Sequence, residues 1–227
     1  MNFHIEDNIC FNPDSETMIE RLRLSESSGL LDDFKKLLDE AVKIAKPKYM
    51  IKEVEPESIS DTTVCFNNNI ILESRILSKN IKDSKRVFLS FATAGLELEA
   101  WNEQYKNQML ENYWIGEIQI EALRCAEKAA VLYIMDNFSV ESFGRMSPGS
   151  LKDWPLSEQS KLFELMGATD IIGVSLTKHM AMVPLKTTSW IIFETKKHFE
   201  NCMLCPKDGC PNRRAKYNPS MYDEQYK

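Results

Sequence analysis

The chain has 227 residues, 43% of them hydrophobic, which is enough to bury the core of one large domain or two small ones. Its formal net charge of -6 argues against the broad basic surface that a nucleic-acid backbone requires, although it leaves room for a local basic patch. The first residues lack the pattern of a secretory signal, and no apolar run is long enough to cross a bilayer, so we expect a cytoplasmic protein with no nucleic-acid or membrane partner.

The first half of the chain predicts a mixture of strands and helices. A short strand is expected to end at Glu6, and Ser15 is the expected N-cap of a helix that ends at Leu24. Apolar residues at three- and four-residue spacing predict a second helix over residues 30–46. The run Asn67–Asn69 indicates a hairpin turn. Strands are predicted at residues 49–54, 62–66, 70–72 and 85–93.

The longest helical pattern covers residues 111–137. Its predicted buried stripe consists of Trp114, Ile118, Ala122, Cys125, Ala129, Leu132 and Tyr133. Cys125 lies on this stripe, which favours a core position over metal binding. The passage FGRMSPGSLKDWP is expected to be irregular, and a helix over residues 157–166 follows it. Strands are predicted at residues 171–176, 180–183 and 187–195.

This order of elements indicates the fold class. Helices mixed with strands that lie close in sequence favour an α+β fold, in which helices flank a twisted antiparallel sheet. No repeat or low-complexity linker divides the chain. We therefore expect one domain over residues 1–197 and a cysteine-bearing extension over residues 198–227.

The extension contains half of the six cysteines, in the segment CMLCPKDGCPNRRAKY. With the preceding histidine the spacing is H-x3-C-x2-C-x4-C, so Cys202, Cys205, Cys210 and His198 are the predicted metal ligands. Zinc favours a closed Cys3His site, whereas an iron–sulfur cluster would use the thiolates with His198 or a more distant cysteine. The spacing leaves both open, together with a segment of reduced, unligated thiols.

The passage GRMSPGSLKDWP and the stretch SEQSKLFELMGATDIIGVSLTKHMAMVPLKTTSWIIFE resemble the activation domain of cobalamin-dependent methionine synthase, which binds S-adenosylmethionine. The resemblance is closest to the stand-alone domains of anaerobic bacteria. The family's Arg-x-x-Pro-Gly loop corresponds to Arg145, Pro148 and Gly149, with Ser147 inside it. The resemblance implies that this loop holds the ligand's carboxylate and adenosine portions, and a guanidinium can indeed clamp a carboxylate through two hydrogen bonds. Glu141 lies near a family acidic position that meets the ligand's ammonium group.

The resemblance implies an accessory enzyme that uses S-adenosylmethionine for reductive reactivation of a corrinoid, cobalamin, on a partner methyltransferase, most simply methionine synthase. An iron–sulfur centre in the extension could then pass an electron, and Arg213, Arg214 and Lys216 could dock an acidic electron donor or the corrinoid protein. Ser150 stands where the family has tyrosine, and residues 187–189 lack the family's tyrosine pair. These differences favour an alternative, a non-catalytic module that docks on a corrinoid protein and holds a structural zinc or iron–sulfur site.

Overall fold

The computed structural model describes residues 3–25, 29–210 and 212–227, which form eleven strands and seven α-helices. The strands are β1 (Phe3–Glu6), β2 (Lys48–Glu53), β3 (Pro56–Ile59), β4 (Thr63–Phe66), β5 (Ile70–Glu73), β6 (Val87–Thr93), β7 (Phe143–Met146), β8 (Ser175–Leu176), β9 (Met182–Val183), β10 (Thr187–Glu194) and β11 (Phe199–Glu200). The helices are α1 (Ser15–Leu22), α2 (Leu30–Ile44), α3 (Arg75–Ile81), α4 (Leu96–Asn102), α5 (Met109–Phe138), α6 (Gln159–Met166) and α7 (Met221–Gln225).

The main sheet has six strands in the order β1-β2-β6-β10-β7-β11. All neighbouring pairs are antiparallel except β7 and β11, which run parallel and place Glu200 opposite Arg145. Strands β3, β4 and β5 form a separate small sheet, and β8 pairs with β9. The predicted α+β class and the largely antiparallel sheet are therefore confirmed.

The main sheet carries a different core on each face, because successive side chains of a strand point to opposite sides. On one face Trp190 and Ile192 pack against the second half of α5. On the other face Ile191 and Phe193 join the core that is shared with the small sheet, α3 and α6. Strand β10 is thus an inner strand of the sheet that contributes side chains to the core on each face.

The stripe predicted for α5 is right in its first half and partly right in its second, where Cys125, Ala129 and Tyr133 are half-buried against the cores. Trp114, Ile118 and Ala122 are buried as expected, but beyond them the buried residues are Ala126, Ala130 and Ile134, while Leu132 is 46% exposed. The first half of α5 packs against helices and the second half against the sheet, so the buried face turns around the helix axis. Among the described residues, none of the helices has the length and apolar character of a membrane span.

Several element boundaries in the first half differ from the prediction. Strand β1 is present, although Met1 and Asn2 of the predicted strand lie outside the described residues. Asp14, and not Ser15, is the N-cap of α1: the hydroxyl and the backbone N–H of Thr17 both donate to its carboxylate and lower the pKa of Asp14. The prediction also lacks β3, α3 and α4.

Two segments of the second half change type. The strand predicted at residues 171–176 is wrong over most of its length, because Thr169–Ile172 forms a 3-10 helix and only Ser175–Leu176 is extended. The expected irregular passage instead begins with strand β7. Its Gly144 lies so close to the ring of Phe193 that a Cβ atom there would be 2.2 Å from the ring carbons, which explains the glycine inside a strand.

The C-terminal segment, residues 198–210 and 212–227, folds against the core that the main sheet shares with the small sheet. Strand β11 extends the main sheet, and the buried ring of Tyr226 packs with Phe199. The hydroxyl of Tyr226 donates to Asn80 Oδ1 at 2.7 Å, and burial raises the pKa of Tyr226 to about 12. The proposed division of the chain after residue 197 stays a prediction.

Candidate ligand-binding groove

An open groove of about 680 Å³ lies beside Arg145, between α5, the start of β10 and the C-terminal segment. Its apolar lining consists of Ile120, Leu123, Val131, Leu132 and Leu185. Its cationic lining consists of Arg124, Lys128, Arg145, Lys186, Arg213 and Arg214. Glu127 is the one carboxylate among the described residues that line it. We call this feature the basic groove; its size is that of a typical small-molecule site.

Arg145 reaches the groove because it lies on β7 between Gly144 and Met146, whose positions face the opposite core. Only 5% of Arg145 is exposed. Its Nη2 atom lies 3.0 Å from Glu127 Oε1, and its guanidinium carbon lies 4.2 Å from the ring centre of Trp190. Burial lowers the pKa of Arg145, and the charge of Glu127 opposes that shift. The Nε atom is buried and has no hydrogen-bond partner among the described residues, so one donor of this guanidinium is left unsatisfied.

Glu127 pairs with this guanidinium and is itself held by Thr188, and neither residue was predicted from the sequence as part of the site. The Thr188 hydroxyl donates to Glu127 Oε1 at 2.8 Å, on the same oxygen that pairs with Arg145. Glu127 comes from α5 and Thr188 from β10, and only the packing of α5 on the sheet brings them together. The one sequence signal was indirect: Thr188 lies where the family tyrosine pair is absent.

A second ion pair lies beside the same groove, between Arg214 of the lining, which is partly exposed, and the buried Glu200. Arg214 Nε lies 2.9 Å from Glu200 Oε2, and Glu200 is the β11 residue paired in register with Arg145. Burial alone would lower the pKa of Arg214, but the charge of Glu200 and its hydrogen bond raise it overall. The C-terminal segment therefore supplies part of the groove wall, including an arginine that the sequence suggested only as a docking residue.

The remaining predicted ligand contacts lie outside the groove. Ser147, Pro148 and Gly149 follow directly after β7, and Glu141 is an exposed residue just before it. The carbonyl of Ser147 accepts a hydrogen bond from Asn201 at 2.7 Å, and Gly149 adopts a φ of +88° that favours glycine. Of the described residues that line the groove, none is one of these four. Their contacts with a ligand stay predictions.

The four predicted metal ligands do not form a cluster. Within residues 3–25, 29–210 and 212–227, no group of three or more His, Cys, Asp and Glu side chains is placed to hold a metal ion. The ring of His198 contacts the carbonyl of Phe143 at 3.0 Å, and the Sγ atom of Cys202 accepts the backbone N–H of Arg214 at 3.4 Å. The side chains as arranged therefore do not fit zinc or an iron–sulfur cluster.

An arginine organises the cysteine segment instead. The guanidinium of Arg213 donates to the carbonyls of Cys202 at 3.0 Å and Cys205 at 3.2 Å, and also to the carbonyl of Lys207. All three cysteines of the segment are half-buried free thiols. The segment is thus arranged as a loop of carbonyls around a cation, and metal binding by its thiols stays a prediction.

The fold and the groove define an α+β domain of a type already represented among solved structures. One of these is the crystal structure of the MetH reactivation domain bound to AdoHcy, with a TM-score of 0.62 over 86% of this chain and 78% of that chain. The two sequences are 13% identical, so the likeness shows the fold. No family model matches the chain, and no curated protein matches it. The predicted activation-domain fold is confirmed at this level.

Proposed function

We propose that this protein binds S-adenosylmethionine in the basic groove and presents it to the corrinoid of a partner methyltransferase, with methionine synthase as the first candidate partner. The observation that carries the proposal is Arg145, a buried guanidinium with an unpartnered Nε beside an open groove. The fold supports it, because the MetH reactivation domain, which has been solved with AdoHcy, is folded alike. S-adenosylmethionine would supply the methyl group for reductive reactivation of cobalamin.

The Arg145–Glu127 pair matches the amino-acid end of this ligand. A guanidinium binds a carboxylate through parallel hydrogen bonds, and a carboxylate binds an ammonium group. Arg145 would thus hold the α-carboxylate, and Glu127 would take the ammonium contact expected of Glu141. The apolar side of the groove would cover the adenine ring, while Ser147, Pro148 and Gly149 remain the proposed adenosine contacts beyond the end of β7.

The chain would act by positioning. Binding holds the methyl donor in one orientation, and such preorganisation accounts for much of the rate of a group transfer. We assign no electron-transfer step to Cys202, Cys205, Cys210 and His198, because they do not form a metal site as arranged. The reducing electron would therefore come from a separate donor protein.

Calorimetric titration with S-adenosylmethionine tests the proposal. Wild-type protein should show saturable binding, and Arg145→Lys should weaken it at least about tenfold, because lysine keeps the charge but loses the planar fork. Arg145→Ala should abolish binding. Lys196→Ala, at an exposed residue outside the basic groove, is the control and should bind normally. Circular dichroism confirms folding of each variant, and absence of binding to folded wild-type protein would overturn the proposal.

A non-catalytic docking module is the second candidate function. The observation that favours it is that Arg145 is already paired with Glu127, so a ligand carboxylate must share or displace that partner. In that case the protein should bind a corrinoid protein with equal affinity in the presence and absence of S-adenosylmethionine. A pull-down together with a methyl-transfer assay on the corrinoid protein, each with and without the ligand, separates the two functions, since only the first gives ligand-dependent methyl transfer.

A further inference from the structure

The basic groove has more positive charge than its acidic neighbours can neutralise. Arg145 is paired with Glu127, Arg214 with Glu200, and Arg124 with Glu121. The other three cationic residues of the lining, Lys128, Lys186 and Arg213, have no carboxylate within salt-bridge distance among the described residues. An excess of three positive charges in one concave site of a protein with a net charge of -6 concentrates anions there.

We infer that the basic groove is a binding site for a phosphorylated small molecule with an aromatic or apolar body. Arg145 is the inner anchor, because it lines the groove, its buried Nε has no partner among the described residues, and a guanidinium pairs well with phosphate oxygens. Lys128, which is exposed, and Lys186, which is half-buried, supply two further positive charges in the lining. The apolar side of the groove gives the rest of the molecule a surface to bury.

A phosphate would neutralise more of the excess positive charge of the groove than a single carboxylate would. A single carboxylate would neutralise one charge of the excess, whereas a phosphate monoester carries nearly two negative charges at neutral pH and offers three acceptor oxygens. The apolar side, which includes Leu185 with 69% exposure, would stay uncovered if the ligand were inorganic phosphate alone. The shape also favours a small molecule, since a protein surface would not reach a guanidinium that is 5% exposed.

This site shares Arg145 with the proposed S-adenosylmethionine site but does not depend on it. A phosphorylated ligand would occupy Arg145 in place of the α-carboxylate, so the two ligands should compete. If S-adenosylmethionine does not bind at all, the proposed function fails, while binding of the phosphorylated ligand can still be measured. The two results are therefore distinguishable in one set of titrations.

The experiment uses adenosine 5′-monophosphate as the probe, with adenosine and inorganic phosphate as comparison ligands at constant ionic strength. We expect the monophosphate to bind the full-length protein at least about tenfold more tightly than adenosine, which corresponds to one charge-assisted contact. It should also bind more tightly than inorganic phosphate. The double variant Lys128→Gln/Lys186→Gln should weaken its binding about tenfold. Both lysines line the groove and make no ion pair with a described residue, so the variant should remain folded.

A matched control decides whether the effect is specific to this groove. Lys196 and Lys197 are exposed and line a different groove, near α3 and the C-terminal segment. The variant Lys196→Gln/Lys197→Gln removes the same charge and should change the affinity less than about twofold, since its charges are exposed to screening by salt and do not line the basic groove. Equal weakening by both double variants, or equal affinity for the monophosphate and adenosine, would overturn the inference. So would a failure to bind the monophosphate while Lys128 and Lys186 are required for binding an acidic corrinoid protein.

Discussion

The basic groove and the cysteine segment each contain residues of a short sequence motif, but these residues make different kinds of contact in the two regions. In the groove, Arg145 is buried and pairs with Glu127 of α5, which in turn accepts a hydrogen bond from Thr188 of β10. In the cysteine segment, Cys202 and Cys205 contribute carbonyls to Arg213 while their thiols do not converge. The motif residue of the groove is therefore held by long-range contacts, whereas the cysteine segment, as arranged, makes local backbone contacts.

The two regions differ because their motif residues differ in burial and charge. A buried charge must be compensated, and Arg145 accordingly pairs with Glu127. An open groove lies beside this pair. A half-buried thiol imposes no such demand, since free cysteine behaves as a small apolar residue. Spacing alone could not reveal this difference, because it does not report burial.

Removing the carboxylate of the groove should have the largest effect on stability. Glu127→Ala leaves the guanidinium of Arg145 buried without its ion pair, and we expect the free energy of unfolding to fall by about 3 kcal/mol in urea titrations. The control is Glu53→Ala, which breaks a pair with Arg86 whose side chains are 40% and 47% exposed; it should cost less than about 1 kcal/mol. Similar losses in both variants would mean that the buried pair has no special role.

The next largest effect should come from the strand that carries Arg145. Gly144→Ala would place a Cβ atom 2.2 Å from the ring of Phe193, and the overpacking should lower the free energy of unfolding by about 1 to 3 kcal/mol.

Gly116→Ala on α5 is the matched control, because no atom lies within 4 Å of its added Cβ. There the same substitution should stabilise the protein by about 0.5 to 1 kcal/mol through helix propensity. Thermal unfolding of both variants measures the difference. A Gly144→Ala variant as stable as wild type would show that β7 can move away from Phe193.

The cysteine segment should depend more on its arginine than on its thiols. Arg213→Gln removes charge-assisted hydrogen bonds to several carbonyls and should lower the free energy of unfolding by about 1.5 kcal/mol. The triple variant with serine at Cys202, Cys205 and Cys210 should lose less. Anaerobic purification with metal analysis and an absorption spectrum gives the opposing outcome: stoichiometric metal, with the triple variant the less stable one, would contradict this order and restore the metal site.

The smallest effect concerns the ligand proposed for the basic groove. S-adenosylmethionine carries a sulfonium charge that S-adenosylhomocysteine lacks, and the excess positive charge of the groove repels it. We expect the neutral molecule to bind about two- to fivefold more tightly, a difference that should shrink at high salt. Calorimetry at two ionic strengths measures this ratio. Tighter binding of the sulfonium compound would mean that it contacts Glu127 more closely than the cations.

The sequence predicts most of the main sheet because its long strands have clear patterns. Residues 85–93 and 187–195 correspond to β6 and β10, which pair along their length. Shorter elements were not predicted, and the reasons are physical. Strand β7 has four residues with a glycine among them, and its extended shape depends on β10 beside it. Helix α3 had a readable signal in Ser74, whose hydroxyl caps it by accepting the N–H of Leu77.

The candidate site was predictable only where one motif carries it. Arg145 followed from the Arg-x-x-Pro-Gly pattern, but Glu127 and Thr188 needed the packing of α5 against β10. Because of the same packing, Ala126 and Ala130 are the buried residues in the second half of α5, where their small side chains leave space for the sheet. Arg214 reached the groove because β11 joined the sheet, and nothing in the local sequence indicates that parallel pairing.

The order of strands also affects how the chain folds during translation. Strand β10 lies between β6 and β7, although both precede it along the chain. Until β10 emerges, β7 has no antiparallel neighbour and the inner edge of β6 stays unpaired, and unpaired edges invite association with other nascent chains. Chaperone binding should therefore be strongest while the segment between β7 and β10 is being translated, and it should fall once β10 inserts.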